Sequence, residues 1–236
     1  MHPRQLLYSS LLVAMSPAAA GSWPTSSTEN QPVCLSRNGQ SGVMLAPDGD
    51  HGAILAWTDG WNLNDDVFAQ RVLGDGLPVW QTWGISIRGT PTRDDFDGIV
   101  SDAAGGAILI WRTDFSTLYA QRVNGSGTSL WATNGVVVCT TTWNSSTRPR
   151  LIEDAAGGAI VVWEDVRSGA LDIYGQHLDA DGNALWSAGG AAVAAATNNQ
   201  SDASIVADGA GGALVAWRDA RNGSNGDIYA QHLDGL

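Results

Sequence analysis

The chain of 236 residues contains no lysine, two cysteines and four histidines, so all of its 12 basic residues are arginine. The absence of lysine excludes a P-loop nucleotide site, which needs a lysine on the phosphates, and it excludes lysine Schiff-base chemistry. No two histidines have metal-ligand spacing. The sequence also lacks a serine elbow, a glycine-rich nucleotide loop and a Cys–His pair.

Charged residues are also scarce, at 15%, while hydrophobic residues make up 44% of the chain. This balance is typical of a folded protein and argues against disorder. The formal net charge is −12, and an acidic surface repels phosphate backbones, so we expect no nucleic-acid partner. The 29 glycines and 11 tryptophans favour an all-β chain with short strands and many tight turns.

The amino terminus has the pattern of an export signal. Met1 to Arg4 gives a positive start, Leu6 to Met15 is mostly apolar, and Ala18 to Ala20 offers a small-residue cleavage site. We therefore predict a signal peptide over residues 1–20, a linker over 21–30 and a folded domain over 31–236. The protein would be secreted, periplasmic or at the cell surface. No segment is long enough to predict a membrane span.

One sequence unit recurs four times, about every 52 residues, which is the mark of a repeat architecture. The first marker is a glycine and an apolar run that ends at Trp57, Trp111, Trp163 and Trp217. The second is a strand-like block that ends at Gln70, Gln121, Gln176 and Gln231. In three units a third marker follows, at Trp80, Trp131 and Trp186.

Each unit predicts about four short strands. Ala159–Trp163 is a buried apolar run, and Ile173–Leu178 alternates between apolar and polar residues. Ala184–Trp186, Ala191–Ala195 and Gln200–Ala207 are further extended pieces. Four antiparallel strands in so short a repeat are the content of one propeller blade. We therefore predict an all-β fold, a β-propeller of about four four-stranded blades.

The last unit stops partway through the pattern, and the missing part is found at the amino terminus. Pro32–Ser36 matches Val137–Thr141, which gives Cys34 and Cys139 the same repeat position. The N-terminal strands would complete the last blade and close the ring, which removes free sheet edges. Alternatively, the chain is part of a longer array. Apolar residues fill the cysteine position in other units, so we expect both thiols to be buried.

The third and fourth units resemble the repeats of TolB-like and WD40-like propellers. Trp163–Arg167, Asp172–Tyr174 and Asp179–Gly182 follow the order of that family, which is an aromatic strand end, an Asp/Arg loop, an Asp-Ile-Tyr strand and an Asp-Gly turn. The chain looks even more like the Gly-Gly-Ala-Ile-Val-Trp repeats of exported bacterial proteins. That resemblance implies a propeller and no defined activity.

The loop between the first two strands of the unit carries most of the candidate site residues. Acidic, basic and aromatic side chains occupy matching points in units one, three and four, at Asp59, Trp61, Asp66, Asp165, Arg167, Asp172, Asp219, Arg221 and Asp227. The second unit has Thr113, Phe115 and Thr117, so both acids are lost together. One interpretation is an arginine that bridges two carboxylates and braces the loop. The other is a ligand site for a carbohydrate or Ca²⁺.

No cofactor is expected. The Asp-x-Arg groups match neither an EF-hand nor a nonapeptide calcium motif, so Ca²⁺ has weak support and no metal ligand is assigned. The four tryptophans that end apolar strands are predicted to pack in the core. Better candidates for exposed contacts are Trp61, Trp83 and Trp143.

Regular repetition without a catalytic constellation favours an exported, non-catalytic propeller. It would act as a binding or scaffold module for an extracellular protein or carbohydrate. The alternative is a glycan-active, glycosidase-like enzyme that uses loop carboxylates such as Asp59, Asp66 and Asp95 near Trp61.

Overall fold

The computed structural model describes residues 23–36, 38–60, 65–114, 116–140, 149–223 and 225–235. These residues form strands and connecting turns and contain no helix. The predicted signal peptide lies outside the described residues.

The strands form four sheets, one for each sequence repeat. The first sheet holds β1 (Gln40–Pro47), β2 (Ala53–Asp59), β3 (Asp66–Val72) and β4 (Ile85–Arg88), and the second holds β5 (Asp94–Ser101), β6 (Ala107–Thr113), β7 (Thr117–Val123) and β8 (Val136–Thr140). The third holds β9 (Arg150–Glu153), β10 (Ala159–Asp165), β11 (Asp172–Leu178) and β12 (Ala191–Ala194), and the fourth holds β13 (Gln200–Ala207), β14 (Ala213–Asp219) and β15 (Asp227–Leu233).

Neighbouring strands in every sheet are antiparallel and follow each other in chain order. The all-β prediction is confirmed at this level. Gln200–Ala207 is a strand with the predicted bounds, and β10 and β11 contain the predicted apolar and alternating segments. The prediction for Ala184–Trp186 is wrong, because Ala184 makes an isolated bridge to Leu178 and no strand.

The sheets pack face to face in chain order. Each has a forward face towards the next sheet and a rear face towards the preceding one. The forward face of the first sheet, with Ile54 and Val67, packs on the rear face of the second, with Leu109 and Trp111. The same contact recurs between the second and third sheets and between the third and fourth sheets. The repeat therefore encodes one interface that is used three times.

The strand-end tryptophans lie on the rear faces. Trp57, Trp111, Trp163 and Trp217 are all buried, so the prediction that they pack in the core is confirmed. In the first three sheets a glycine with positive φ lies against the indole. A Cβ atom added to Gly84, Gly135 or Gly190 would lie 2.9, 2.6 or 2.4 Å, respectively, from the Cη2 atom of the indole. These glycines let the chain pass close to the ring.

The amino-terminal segment does not complete the fourth sheet. Pro32–Ser36 forms no strand, and the Sγ atom of Cys34 lies 3.6 Å from the carbonyl oxygen of Trp83, on the first sheet. Among the described residues the fourth sheet has three strands. The predicted closure of the last blade is therefore wrong for this structure. Cys139 is buried as expected, whereas Cys34 is only half-buried, since no sheet covers it.

The glycine–indole contact is testable with two matched glycines. Gly190 (φ +95°) touches the Trp163 ring, and Gly169 (φ +96°) has open space around its Cβ position. Alanine at either site should cost about 1 kcal/mol of unfolding free energy from backbone strain. Gly190→Ala should cost about 1–3 kcal/mol more, because the new methyl group overlaps the indole. Urea denaturation of both variants measures this difference, and equal losses would contradict the packing.

Candidate functional site

The predicted site residues lie at one end of the sheets, which we call the hairpin end. There the second strand of each sheet turns into the third. The acids are opposite each other in the antiparallel ladders, as the pairs Asp59–Asp66, Asp165–Asp172 and Asp219–Asp227. Thr113 and Thr117 form the matching pair in the second sheet. Trp61, Trp143 and Phe115 lie outside the described residues.

The first acid of each pair accepts a hydrogen bond from the indole of its own strand. Residues two apart on a strand share a face, so the aspartate two positions after the tryptophan is in reach. The Nε1–H of Trp57, Trp163 and Trp217 donates to Oδ2 of Asp59, Asp165 and Asp219 at 3.3, 3.1 and 2.9 Å. Two positions after Trp111 the aspartate is replaced by Thr113. Among the described residues the Nε1–H of Trp111 has no hydrogen-bond partner.

In the third and fourth sheets an arginine binds the same carboxylate. Arg167 donates through Nε to Asp165 Oδ2 at 2.8 Å, and Arg221 donates through Nη2 to Asp219 Oδ2 at 2.6 Å. Each guanidinium carbon also lies 4.1 Å from the ring centroid of a tyrosine, Tyr174 or Tyr229. The hydrogen bond from Arg221 is the main cause that holds the pKa of Asp219 far below its ordinary value, against the effect of burial.

The expected bridge between two carboxylates is not formed. Within the described residues, the buried Oδ2 of Asp172 has no hydrogen-bond partner. Asp227 is exposed and accepts a bond from Asn222 Nδ2 at 3.1 Å. Each arginine instead joins one carboxylate to one aromatic ring, which fixes the guanidinium by charge and by stacking.

The second sheet keeps this arrangement with residues from other positions. Asp94, at the start of β5, accepts a hydrogen bond from Thr113 Oγ1 at 2.6 Å. Arg88, at the end of β4 in the first sheet, lies 3.2 Å from Asp94 Oδ2 through its Nε atom. Its guanidinium carbon lies 4.0 Å from the Tyr119 ring centroid. Unit two therefore also has a carboxylate at this place, but it is supplied by β5 and not by β6.

The arginine also keeps its backbone acceptor in the second sheet. Arg88 Nη1 donates to the carbonyl of Asn134 at 3.2 Å, and Arg167 Nη2 donates to the carbonyl of Gly189 at 3.0 Å. Each carbonyl belongs to the residue before the glycine that contacts the indole. Arg88 and Asp94 are not among the predicted site residues, because they lie outside the loop that carries the arginines and acids of the other units. Their one signal is that Asp94 stands where units one and four have Gln40 and Gln200.

Burial raises the pKa of Glu164, next to Asp165, and of two aspartates at the hairpin end. Burial raises the pKa of Asp94 to about 6, against the lowering effects of Thr113 and Arg88. Burial also raises the pKa of Asp66, and the nearby charge of Asp59 adds to this. Asp59 and Asp66 each keep one buried oxygen with no hydrogen-bond partner among the described residues.

A different repeated bond lies at the opposite end of the sheets. The turn aspartates accept two backbone N–H bonds through Oδ1, as in Asp154 with Ala156 and Gly158, both at 2.8 Å. Their Oδ2 atoms bind a basic side chain of the third strand, in the pairs Asp48–Arg71, Asp102–Arg122, Asp154–His177 and Asp208–His232. The exchange of histidine for arginine at this position therefore preserves a turn brace.

A polar cleft opens between the third and fourth sheets at the hairpin end. It has a volume of about 560 Å³ and is lined by Ala170, Asn198, Asn199, Ala220 and Gly223. Both asparagines bond to its walls: Asn198 Nδ2 donates to the carbonyl of Ala220 at 3.1 Å, and Asn199 Oδ1 accepts from the N–H of Leu171 at 3.1 Å. None of these residues was predicted, since nothing in their repeat pattern marks a cleft.

Among the described residues no group of three or more His, Cys, Asp or Glu side chains is placed to hold a metal ion. Within the same part of the chain, no helix is long and apolar enough to cross a membrane.

The chain has a distant structural similarity to a protein of known structure. No protein-family model matches the chain, and no curated protein matches it. Seven chains of solved structures match. One is the endo-arabinase from Bacteroides thetaiotaomicron VPI-5482, with a TM-score of 0.42 and 14% identity over 78% of this chain and 72% of that chain. A likeness at this level gives no information about what this chain does.

The role of Asp94 in the second sheet can be tested by transferring the carboxylate to position 113, where the other sheets have an aspartate. Asp94→Gln alone should cost about 1–2 kcal/mol of unfolding free energy, because Arg88 loses its charge partner although burial already disfavours the charge of Asp94. Thr113→Asp alone should also destabilise, because it places a second carboxylate beside Asp94. The double variant places glutamine and aspartate where the fourth sheet has the pair Gln200 and Asp219, and it gives Trp111 an acceptor. We expect it to recover at least about 1 kcal/mol relative to additivity, measured by urea denaturation.

The pH dependence of the same variants gives a second readout. Because the pKa of Asp94 rises from 3.8 to about 6 on folding, the folded state binds its proton more tightly. The free energy of unfolding should therefore fall as the pH rises through this interval. This slope should be reduced in the double variant, whose new aspartate would have both Arg88 and the Trp111 indole as partners. Additive losses and an unchanged slope would contradict the assignment.

Proposed function

We propose that the four sheets are blades of a β-propeller and that the protein is exported. The support for a propeller is the fourfold repeat of one antiparallel sheet, with strands in chain order and one inter-sheet interface used three times. The support for export is the sequence pattern of residues 1–20.

We further propose that this propeller is a non-catalytic binding or scaffold module for an extracellular protein or glycan, with the hairpin end as its binding face. One observation carries the proposal. The acids that recur at this end are used internally, since Asp165 and Asp219 each accept bonds from an indole and a guanidinium. Carboxylates held in this way brace the loops and are poor proton donors.

The cleft between the third and fourth sheets is the proposed contact surface. Its two asparagine side chains and its backbone groups offer donors and acceptors of the kind that sugar hydroxyls and peptide groups need. Arg167 and Arg221 stand at the same end with about one third of each side chain exposed, 34% and 35%. Trp83, just before the fourth strand of the first sheet, is 49% exposed and gives an apolar surface for a second contact.

A glycan-active enzyme is the second candidate, and the first sheet favours it. Asp59 and Asp66 are buried and each keeps an oxygen without a partner in the part of the chain that the structure describes, and the pKa of Asp66 is raised. Groups of this kind occur at catalytic sites. Asp95, the third acid predicted for this role, is bound to Arg93 Nη2 at 2.9 Å.

Binding at the cleft can be tested by filling it. Purified protein would be applied to a glycan array and to labelled extracellular proteins. The hits would be measured again with Ala220→Trp, which blocks the cleft, and with Ala156→Trp, which adds the same bulk in an exposed turn at the other end. We expect binding to be lost in the first variant and kept in the second. Equal binding by both would contradict the proposed surface.

Turnover would contradict the non-catalytic proposal. If the purified protein hydrolyses a glycoside, and Asp59→Asn or Asp66→Asn abolishes this without changing the melting temperature, the enzyme is the correct function. A large loss of stability in these variants, without any turnover in the parent protein, would support a bracing role for the acids.

A further inference from the structure

The forward face of the fourth sheet is uncovered. Ile228 occupies the repeat position of Val67, Leu118 and Ile173, which are fully buried between sheets, but its side chain is 77% exposed. Leu214 occupies the position of Ile54 and two other buried isoleucines and is 48% exposed. Val206, on the adjoining strand, is 58% exposed. These positions carry the same apolar residue types as the buried sheet–sheet interfaces, yet among the described residues no sheet covers this face.

The rear face of the first sheet is uncovered in part, although Trp57 on the same face is buried. Val43 and Leu45 are 61% and 64% exposed. Leu55 is partly exposed, while its repeat equivalents Leu109, Val161 and Val215 are fully buried against the preceding sheet. The two uncovered faces are therefore the two halves of the interface that the chain uses three times.

The amino-terminal segment, residues 23–36, occupies the place of a preceding sheet. Trp80 Nε1 of the first sheet donates to the carbonyl of Gly125 in the second at 3.1 Å, and Trp131 Nε1 donates to Ala180 in the third at 2.9 Å. Trp23 Nε1 donates to the equivalent carbonyl in the first sheet, that of Gly74, at 2.9 Å. This segment thus contacts the first sheet as the end of a blade would, and among the described residues the fourth sheet has three strands and no such end.

We propose that two copies of this chain associate head to tail, with the forward face of the fourth sheet of one copy packed on the rear face of the first sheet of the other. The amino-terminal segment of the second copy would lie along β15, at the free edge of the three-stranded sheet. The contact is heterologous, because two different faces meet, and two such contacts close a ring of two chains.

A second copy fits better than the chain's own first sheet. No strand of the first sheet is in substantial contact with a strand of the fourth. The three interfaces between them are filled by buried side chains, and packed interfaces resist continuous deformation. Closure within one chain would have to disturb all three, whereas a second copy uses the faces as they are.

The experiment uses one blocking variant for each face. Ile228→Asp places a charge on the forward face and Leu45→Asp places one on the rear face, both at exposed side chains, so each monomer should fold. Leu130→Asp is the matched control, since Leu130 is 46% exposed on the second sheet, away from both faces. Sedimentation velocity over a range of concentrations would measure association, with circular dichroism to check folding.

We expect the parent protein and Leu130→Asp to self-associate and each blocking variant to be monomeric. An equimolar mixture of Ile228→Asp and Leu45→Asp should form a one-to-one dimer, because each retains the face that the other needs. A mixture that stays monomeric would overturn the head-to-tail contact. A monomeric parent protein whose melting temperature falls on Ile228→Asp would overturn it in favour of closure within one chain.

A cysteine at position 228 gives an independent test. Cys139 and Leu118 are opposite each other in the second sheet, and Cys34 and Ile228 hold the same repeat positions. Oxidised glutathione should therefore link Ile228→Cys to Cys34 of the other copy, giving a covalent dimer on a non-reducing gel. This dimer should be absent when Cys34→Ser is added. A disulfide within one chain, or no cross-link at all, would overturn the proposal.

Discussion

The architecture depends on one interaction, the burial of a strand-end indole on the rear face of each sheet, which at Trp57 and Trp163 places the ring between a glycine and an oxygen acceptor. The indole fills the gap between consecutive sheets and contributes several kcal/mol by its burial, but its N–H needs a partner there. In three sheets that partner is the aspartate two residues later. In the third and fourth sheets the aspartate needs a counter-charge, and an arginine stacked on a tyrosine supplies it. The acids at the hairpin end thus follow from the packing of the core.

The second sheet has the same charge arrangement, built from residues at other positions. Its carboxylate comes from Asp94 on the first strand, and its arginine from the preceding sheet. Arg88 therefore joins two sheets, whereas Arg167 and Arg221 act within one. Groups that take no part in this bracing are free to bind a partner. They lie in the cleft beside Asn199 and on the outer faces of the first and fourth sheets.

The sequence repeat was sufficient to predict the strands, the buried tryptophans and the shared end of the acids, because period and spacing fix these locally. It could not predict which aspartate forms the ion pair with each arginine. Arg88 and Asp94 come from different repeat positions and meet only because two sheets pack together. The same limit explains the error over the amino-terminal segment. Its residues match a fourth strand, but pairing depends on which sheet edge lies nearby, and Trp23 ties the segment to the first sheet. The cleft depends on loop shape, which has no period.

The hydrogen bonds of the four strand-end indoles are the most direct test of this account. A proton–nitrogen NMR spectrum of the indole N–H groups, assigned with single Trp→Phe variants, separates bonded from unbonded rings. The account predicts downfield proton shifts for Trp163 and Trp217, whose N–H groups donate to carboxylates. Trp111, buried without such a partner among the described residues, should resonate upfield of both. Four equivalent shifts, or a Trp111 signal as far downfield as that of Trp217, would contradict it.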